Sequence, residues 1–87
     1  MTIAVFGNTY KDQTFAQVEH LLSFFASRQV RVLLSKELRY EMHLMQDYDS
    51  YLEDSSEDVD YAISVGGDGT FLTTAAAVIG KDIPILG

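Results

Sequence analysis

The amino-acid sequence predicts an α/β protein with an open, parallel, doubly wound sheet of about four strands and three helices. Three observations carry this prediction. Short apolar runs alternate with segments of helical period along the whole chain. The strands are separated by crossovers long enough for parallel pairing. The most abrupt break in the pattern, Gly66-Gly67-Asp68-Gly69, falls between an apolar run and a helical segment.

The first run, Ile3-Ala4-Val5-Phe6, is closed by Gly7-Asn8 and reads as a buried parallel strand. Thr14 with Gln17 three residues on resembles a capping box, and Phe15, Val18, Leu22 and Phe25 follow at helical spacing. A helix over 14–27 is therefore expected. Val30-Arg31-Val32-Leu33-Leu34 is the second strand, and Ser35 then caps a second helix carrying Leu38, Met42 and Met45 and fading towards Leu52. Tyr61-Ala62-Ile63-Ser64-Val65 is the third strand. Thr70 to Ile79, alanine-rich and apolar, is a third and largely buried helix ended by Gly80. Ile83-Pro84-Ile85-Leu86 is the last strand, with Pro84 at its start or on an edge. The expected strand order is 2-1-3-4, which sets strands 1 and 3 side by side at the switch point. Ligands of such sheets lie beyond the carboxyl ends of the strands there, so Gly7-Asn8 and Gly66–Gly69 should flank one crevice.

The chain has 87 residues, the size of one small domain over 1–87. Its 47% hydrophobic and 22% charged residues are ordinary for a soluble domain. The absence of cysteine excludes disulfides, thiolate metal sites and cysteine nucleophiles. No apolar run approaches the roughly 18 residues that span a membrane. Met1 to Phe6 lacks a basic signal-peptide start, so a cytoplasmic protein without membrane partners is expected. The last strand stops at Gly87 with no helix to cover it, the expectation for the N-terminal piece of a longer protein.

The net charge of −7 argues against a nucleic-acid partner. It resides in one place: residues 46–60 hold seven acids and no base. Such a block reads as solvated surface or a loose linker, with Tyr48, Tyr51 and Tyr61 packing it onto the domain. His20 and His43 have no second ligand at metal spacing and read as surface residues, so no metal site is assigned to protein side chains. Met42 and Met45 read as core filler, and Lys11 as solvated rather than phosphate-bound.

The motif with chemistry in it is Gly66-Gly67-Asp68-Gly69-Thr70. Its glycines permit positive φ and a close approach of ligand to backbone. Bare N–H groups at a helix start favour an anion such as phosphate, and Thr70 can cap the helix or donate its hydroxyl to a phosphate oxygen. Asp68 would repel that phosphate, so it needs a task. It can take a proton from a hydroxyl nucleophile, hold Mg²⁺ between phosphate oxygens, or merely bond its own backbone in a tight turn. The pattern is neither a dinucleotide fingerprint nor a P-loop.

Gly-Gly-Asp-Gly-Thr after an apolar strand resembles the superfamily of NAD kinases, diacylglycerol- and sphingosine-type lipid kinases and, more distantly, phosphofructokinases. Phe71-Leu72, the alanine-rich helix and Ile83-Pro84-Ile85-Leu86-Gly87 resemble the NAD kinases specifically. The layout matches over the whole chain, and the residues match over 66–72 and 83–87. Lipid kinases carry an Asn-Pro element and an Asn-Glu-Val stretch where this chain has Gly7-Asn8-Thr9 and Thr73-Thr74-Ala75.

The resemblance implies phosphorylation of the adenosine ribose 2′-hydroxyl of NAD by ATP, with Mg²⁺ or another divalent metal, to give NADP. It implies Asp68 as general base, Asp68 and Gly69 against the dinucleotide, and Gly66, Gly67 and Thr70 near the ATP phosphates. Phe71 and Leu72 would pack by the adenosine pocket or hold the turn. Asn8 joins these from the switch-point argument. Many members have a basic residue where Thr73 stands, so a charge contact from that position is not expected here. The family's Asn-Glu/Asp motif and its NAD-holding second domain, through which homo-oligomers form, lie outside these residues, and the 87 residues alone should be inactive. Two readings compete: a lipid or sugar kinase of the same superfamily, and a non-catalytic nucleotide-binding domain.

Overall fold

The computed structural model describes residues 1–8, 12–42, 48–52 and 57–87, with the side chains of Asp12 and Asp68 outside that description. In chain order the elements are β1 (Thr2–Gly7), α1 (Asp12–Ser27), β2 (Arg31–Leu34), α2 (Lys36–Glu41), β3 (Asp49–Ser50), β4 (Tyr61–Val65), α3 (Asp68–Ala77) and β5 (Ile85–Leu86). All five strands are parallel, in the order β3-β2-β1-β4-β5.

The α/β class and the expected order hold, with β1 paired to both β2 and β4 at the centre. The expected count of four strands does not. β3 adds a fifth at the edge, pairing Leu33 with Asp49 and Leu34 with Ser50. Two polar residues have no apolar periodicity to announce a strand; the neighbouring β2 edge supplies the pairing.

Strand alternation sorts the core onto two faces. Ile3 and Val5 of β1 point to one face, with Val18, Leu22 and Phe25 of α1 and Leu38 of α2. Ala4 and Phe6 point to the other, with Ala62, Tyr51 and Val78. Right-handed crossovers account for this division. The chain winds outward through α1 and α2 to β3, then returns to β4 and winds the other way through α3.

Helix boundaries depart from expectation for local reasons. α1 starts at Asp12, so Thr14 is not its cap but a buried residue of its first turn. α2 has the expected Ser35 cap, whose side chain accepts from the Leu38 N–H at 3.4 Å. It ends at Met42, whose backbone is already extended, rather than running towards Leu52; Met45 lies outside the described residues. α3 starts at Asp68 rather than Thr70 and ends at Ala77, with Gly80 in the following turn at φ 79°. It is not largely buried. Thr74 and Val78 face the sheet while Phe71, Leu72 and Ile79 are exposed. β5 is shorter than expected, and Pro84 precedes it, its carbonyl accepting from Ala62 N–H at 2.9 Å.

The acidic stretch is more engaged than a loose linker. Arg31 of β2 pairs with Asp49 at 3.1 Å and Glu57 at 2.9 Å. Asp60 accepts from the Thr2 N–H at 2.8 Å. Tyr51 is buried, edge-on to the Phe6 ring with centroids 5.4 Å apart, and its hydroxyl donates to the Ala77 carbonyl. Tyr48 is partly buried against the α1 face, whereas Tyr61 is exposed. Asp47, Glu53 and Asp54 lie outside the described residues. Among the described residues no helix is long and apolar enough to cross a membrane.

Candidate functional site

The two turns expected to converge do so. The register that pairs Gly7 with Val65 brings the carboxyl ends of β1 and β4 together. The Asn8 N–H then donates to the Val65 carbonyl at 3.2 Å, extending the pairing by one residue. Past Val65, Gly66 turns the chain at φ 140° and Gly67 forms the cap of α3. Gly67 provides no side-chain hydrogen bond, and the first bonds back to its carbonyl come from the Thr70 and Phe71 amides, so the Asp68 and Gly69 N–H groups are left to a ligand or solvent.

A cleft of about 410 Å³ opens at this point. Asn8 and Gly7 line one side, Gly69, Thr70 and Thr73 of α3 another, and Ser35 and Glu37 a third. Its lining holds no lysine or arginine among the described residues. Among the described residues, attraction for an anion comes from backbone N–H groups and the α3 dipole. Lys11 and His43 lie outside the described residues.

Of the sequence-predicted residues, Asn8, Gly69 and Thr70 meet in the cleft. Gly66 and Gly67 build the turn behind it. Asp68 is the first residue of α3, which sets its backbone between Gly67 and the cleft-lining Gly69. Phe71 and Leu72 are not brought to the cleft: both are exposed, and Phe71 lies beside Gly87. Thr70 does not act as the α3 cap; its amide bonds to the Gly67 carbonyl at 3.0 Å, inside the first turn. The Thr73 hydroxyl is turned back onto the Gly69 carbonyl at 3.0 Å.

Glu37 is a cleft residue that sequence reasoning missed, and Ser35, read there only as a helix cap, lines the cleft too. The signal was available: the switch-point argument covers every strand end near the reversal, and Glu37 follows β2 by three positions. A second, more apolar pocket of about 640 Å³ lies on the α1 side, between Leu21, Phe24, Ile63 and Gly87. His20 borders it and makes no metal cluster; among the described residues no three His, Cys, Asp or Glu are grouped to hold an ion.

Comparison with known proteins accounts for this arrangement. The family model of the ATP-NAD kinase N-terminal domain matches residues 3–87. The chain belongs to this family. An NAD kinase of Bacteroides fragilis is 34% identical over 91 residues, covering 100% of this chain and 31% of that protein. One from Flavobacterium johnsoniae is 33% identical over 93 residues, covering 100% and 32%. One from Methanothermobacter thermautotrophicus is 33% identical over 69 residues, covering 79% and 24%. The chain thus spans about a third of the length of the curated NAD kinases it matches. No solved structure matches it. As an ATP-NAD kinase N-terminal domain, it has its glycine-rich turn at the sheet's switch point, where open α/β sheets hold their ligands.

Proposed function

We propose that the protein containing this domain is an NAD kinase, transferring the γ-phosphoryl group of ATP to the adenosine ribose 2′-hydroxyl of NAD. The observation that carries this reading is the convergence of Asn8, Gly69 and Thr70 on one cleft, in a chain whose family match covers residues 3–87. The leading N–H groups of α3 receive phosphate oxygens, and the glycines at 66, 67 and 69 let the chain approach them closely. Asp68, at the start of α3, takes the proton from the ribose hydroxyl as that oxygen attacks phosphorus, the O–P bond to ADP breaking in line. In this reading the nucleotide arrives with Mg²⁺ or another divalent ion on its phosphates, such an ion being held by phosphates and one or two carboxylates. NAD-holding groups and homo-oligomer contacts belong, in this reading, to a second domain beyond the 87 residues.

The deciding experiment is NADP formation from NAD, ATP and Mg²⁺ by the whole gene product, beside Asp68→Asn. Loss of about 10²–10⁴-fold in kcat, with ATP binding retained, is the expected result for a general base. Full activity in the variant would keep the kinase and remove Asp68 from the mechanism. No NADP from folded, whole protein would sink the reading and direct the search to lipid and sugar acceptors.

A further inference from the structure

We infer that Glu37 is the residue that reads the ribose of the phosphoryl-donor nucleotide, accepting hydrogen bonds from its 2′- and 3′-hydroxyls; this rests on the kinase reading of the cleft above. The cleft has two chemically opposite walls. On one side stands the start of α3, where the Gly69 N–H, the Thr70 hydroxyl and the helix dipole suit phosphate. On another stands Glu37, a carboxylate. No phosphate belongs against it.

A carboxylate is acceptor-only, with two oxygens and about four lone-pair sites, which matches a vicinal diol. Bonds to an ionised acceptor are roughly twice as strong as neutral ones. Glu37 is also available: among the described residues its side chain has no ion pair or hydrogen-bond partner. A strand end beside the first strand is also where dinucleotide-binding sheets place an acid that holds a ribose hydroxyl, although here the phosphate turn follows β4 rather than β1. β2 pairs with β1 in parallel, and Glu37 follows the last β2 residue, Leu34, by three. A nucleotide with its phosphates at α3 and its ribose at Glu37 spans the cleft from one wall to the other.

The test uses the whole gene product, wild type and Glu37→Gln, with ATP, 2′-deoxy-ATP and 3′-deoxy-ATP. Equal melting temperatures establish that both proteins are folded. The wild type should bind the deoxy nucleotides about tenfold more weakly than ATP, by calorimetry and in KM, as for loss of a charge-assisted bond. Glu37→Gln should bind all three alike and weakly, with KM for NAD unchanged. Full discrimination retained in the variant would overturn the inference. So would a deficit that falls on KM for NAD, or one abolished by raising Mg²⁺, which would make Glu37 a metal ligand. Absence of NADP formation would defeat the kinase reading alone, because the calorimetric comparison still decides whether Glu37 reads the ribose.

Discussion

Gly66 stands so close to Thr70 that a Cβ built at position 66 would lie 2.8 Å from the Thr70 hydroxyl oxygen. It would also lie 3.2 Å from the Asn8 Cβ. The residue is glycine for two separate reasons, crowding and its φ of 140°. Its neighbour Gly67 has neither: its φ is −90° and a Cβ there would meet nothing within 4 Å.

The two glycines should therefore respond differently. Gly66→Ala is predicted to destabilise the domain by about 1–3 kcal/mol, the usual cost of a side chain held in a sparsely populated backbone region. Gly67→Ala should change stability by less than about 0.5 kcal/mol and act instead on ligand approach. Adding Thr70→Ala to Gly66→Ala removes one close contact but leaves the φ, so only part of the loss should return. Urea midpoints of the three variants check this. Equal losses at 66 and 67 would contradict it.

Tyr51 ties the sheet edge to α3. Its ring is edge-on to Phe6 at an interplanar angle of 64°, and its hydroxyl donates to the Ala77 carbonyl at 3.3 Å. Tyr51→Phe keeps the ring and loses only the bond, so a cost of about 0.5–1.5 kcal/mol is expected. Tyr51→Ala removes a buried aromatic and should cost about 3–5 kcal/mol. A Tyr51→Phe loss as large as that of Tyr51→Ala would mean that the hydroxyl, not the ring, anchors the segment.

Much of this was legible in the residues. The β1, β2 and β4 runs are mostly apolar, Arg31 and Ser64 aside, because parallel strands are covered on both faces, and a sequence pattern reports that burial directly. The glycine-rich turn was legible because only glycine tolerates the Gly66 backbone. β3 was not, since Asp49 and Ser50 carry no apolar pattern and owe their pairing to an edge distant in sequence. α3 misled because alanine-rich composition resembles a buried helix, yet Thr74 and Val78 are buried and Ala75 and Ala77 half-covered while Phe71 and Leu72 are exposed. Glu37 was invisible to motif reading, for its place depends on where β2 ends against β1.

Arg31 joins Asp49 of β3 and Glu57 beyond it, and the pairs are open to solvent, with the Arg31 side chain half exposed, that of Asp49 mostly exposed and that of Glu57 34% exposed. Exposed ion pairs are screened and are worth about 0–1 kcal/mol. Arg31→Ala should accordingly cost less than about 1 kcal/mol, and the difference from wild type should shrink between 0.05 M and 1 M salt, roughly, as screening shortens to about 3 Å. A large and salt-independent loss in thermal unfolding would show that the methylene stem of Arg31, not its charge, holds the edge.

Ser35 links the stability of α2 to the cleft. It is buried at the end of β2, its N–H donates to the Val5 carbonyl at 2.9 Å, and its hydroxyl accepts from Leu38 N–H at 3.4 Å. The backbone bond survives substitution and the cap does not. Ser35→Ala should cost about 0.5–1 kcal/mol, at the lower end for a cap because the bond is long. Ser35→Thr retains a hydroxyl acceptor and should cost less unless its methyl group crowds the buried site. Because α2 is a helix of six residues with Glu37 in its first turn, fraying at the cap loosens that carboxylate. Ser35→Ala is thus expected to raise KM for ATP several-fold with kcat little changed, and to leave a smaller preference for ATP over 3′-deoxy-ATP. If stability falls while the nucleotide preference stays intact, the cap is structural only and the geometry of Glu37 does not depend on it.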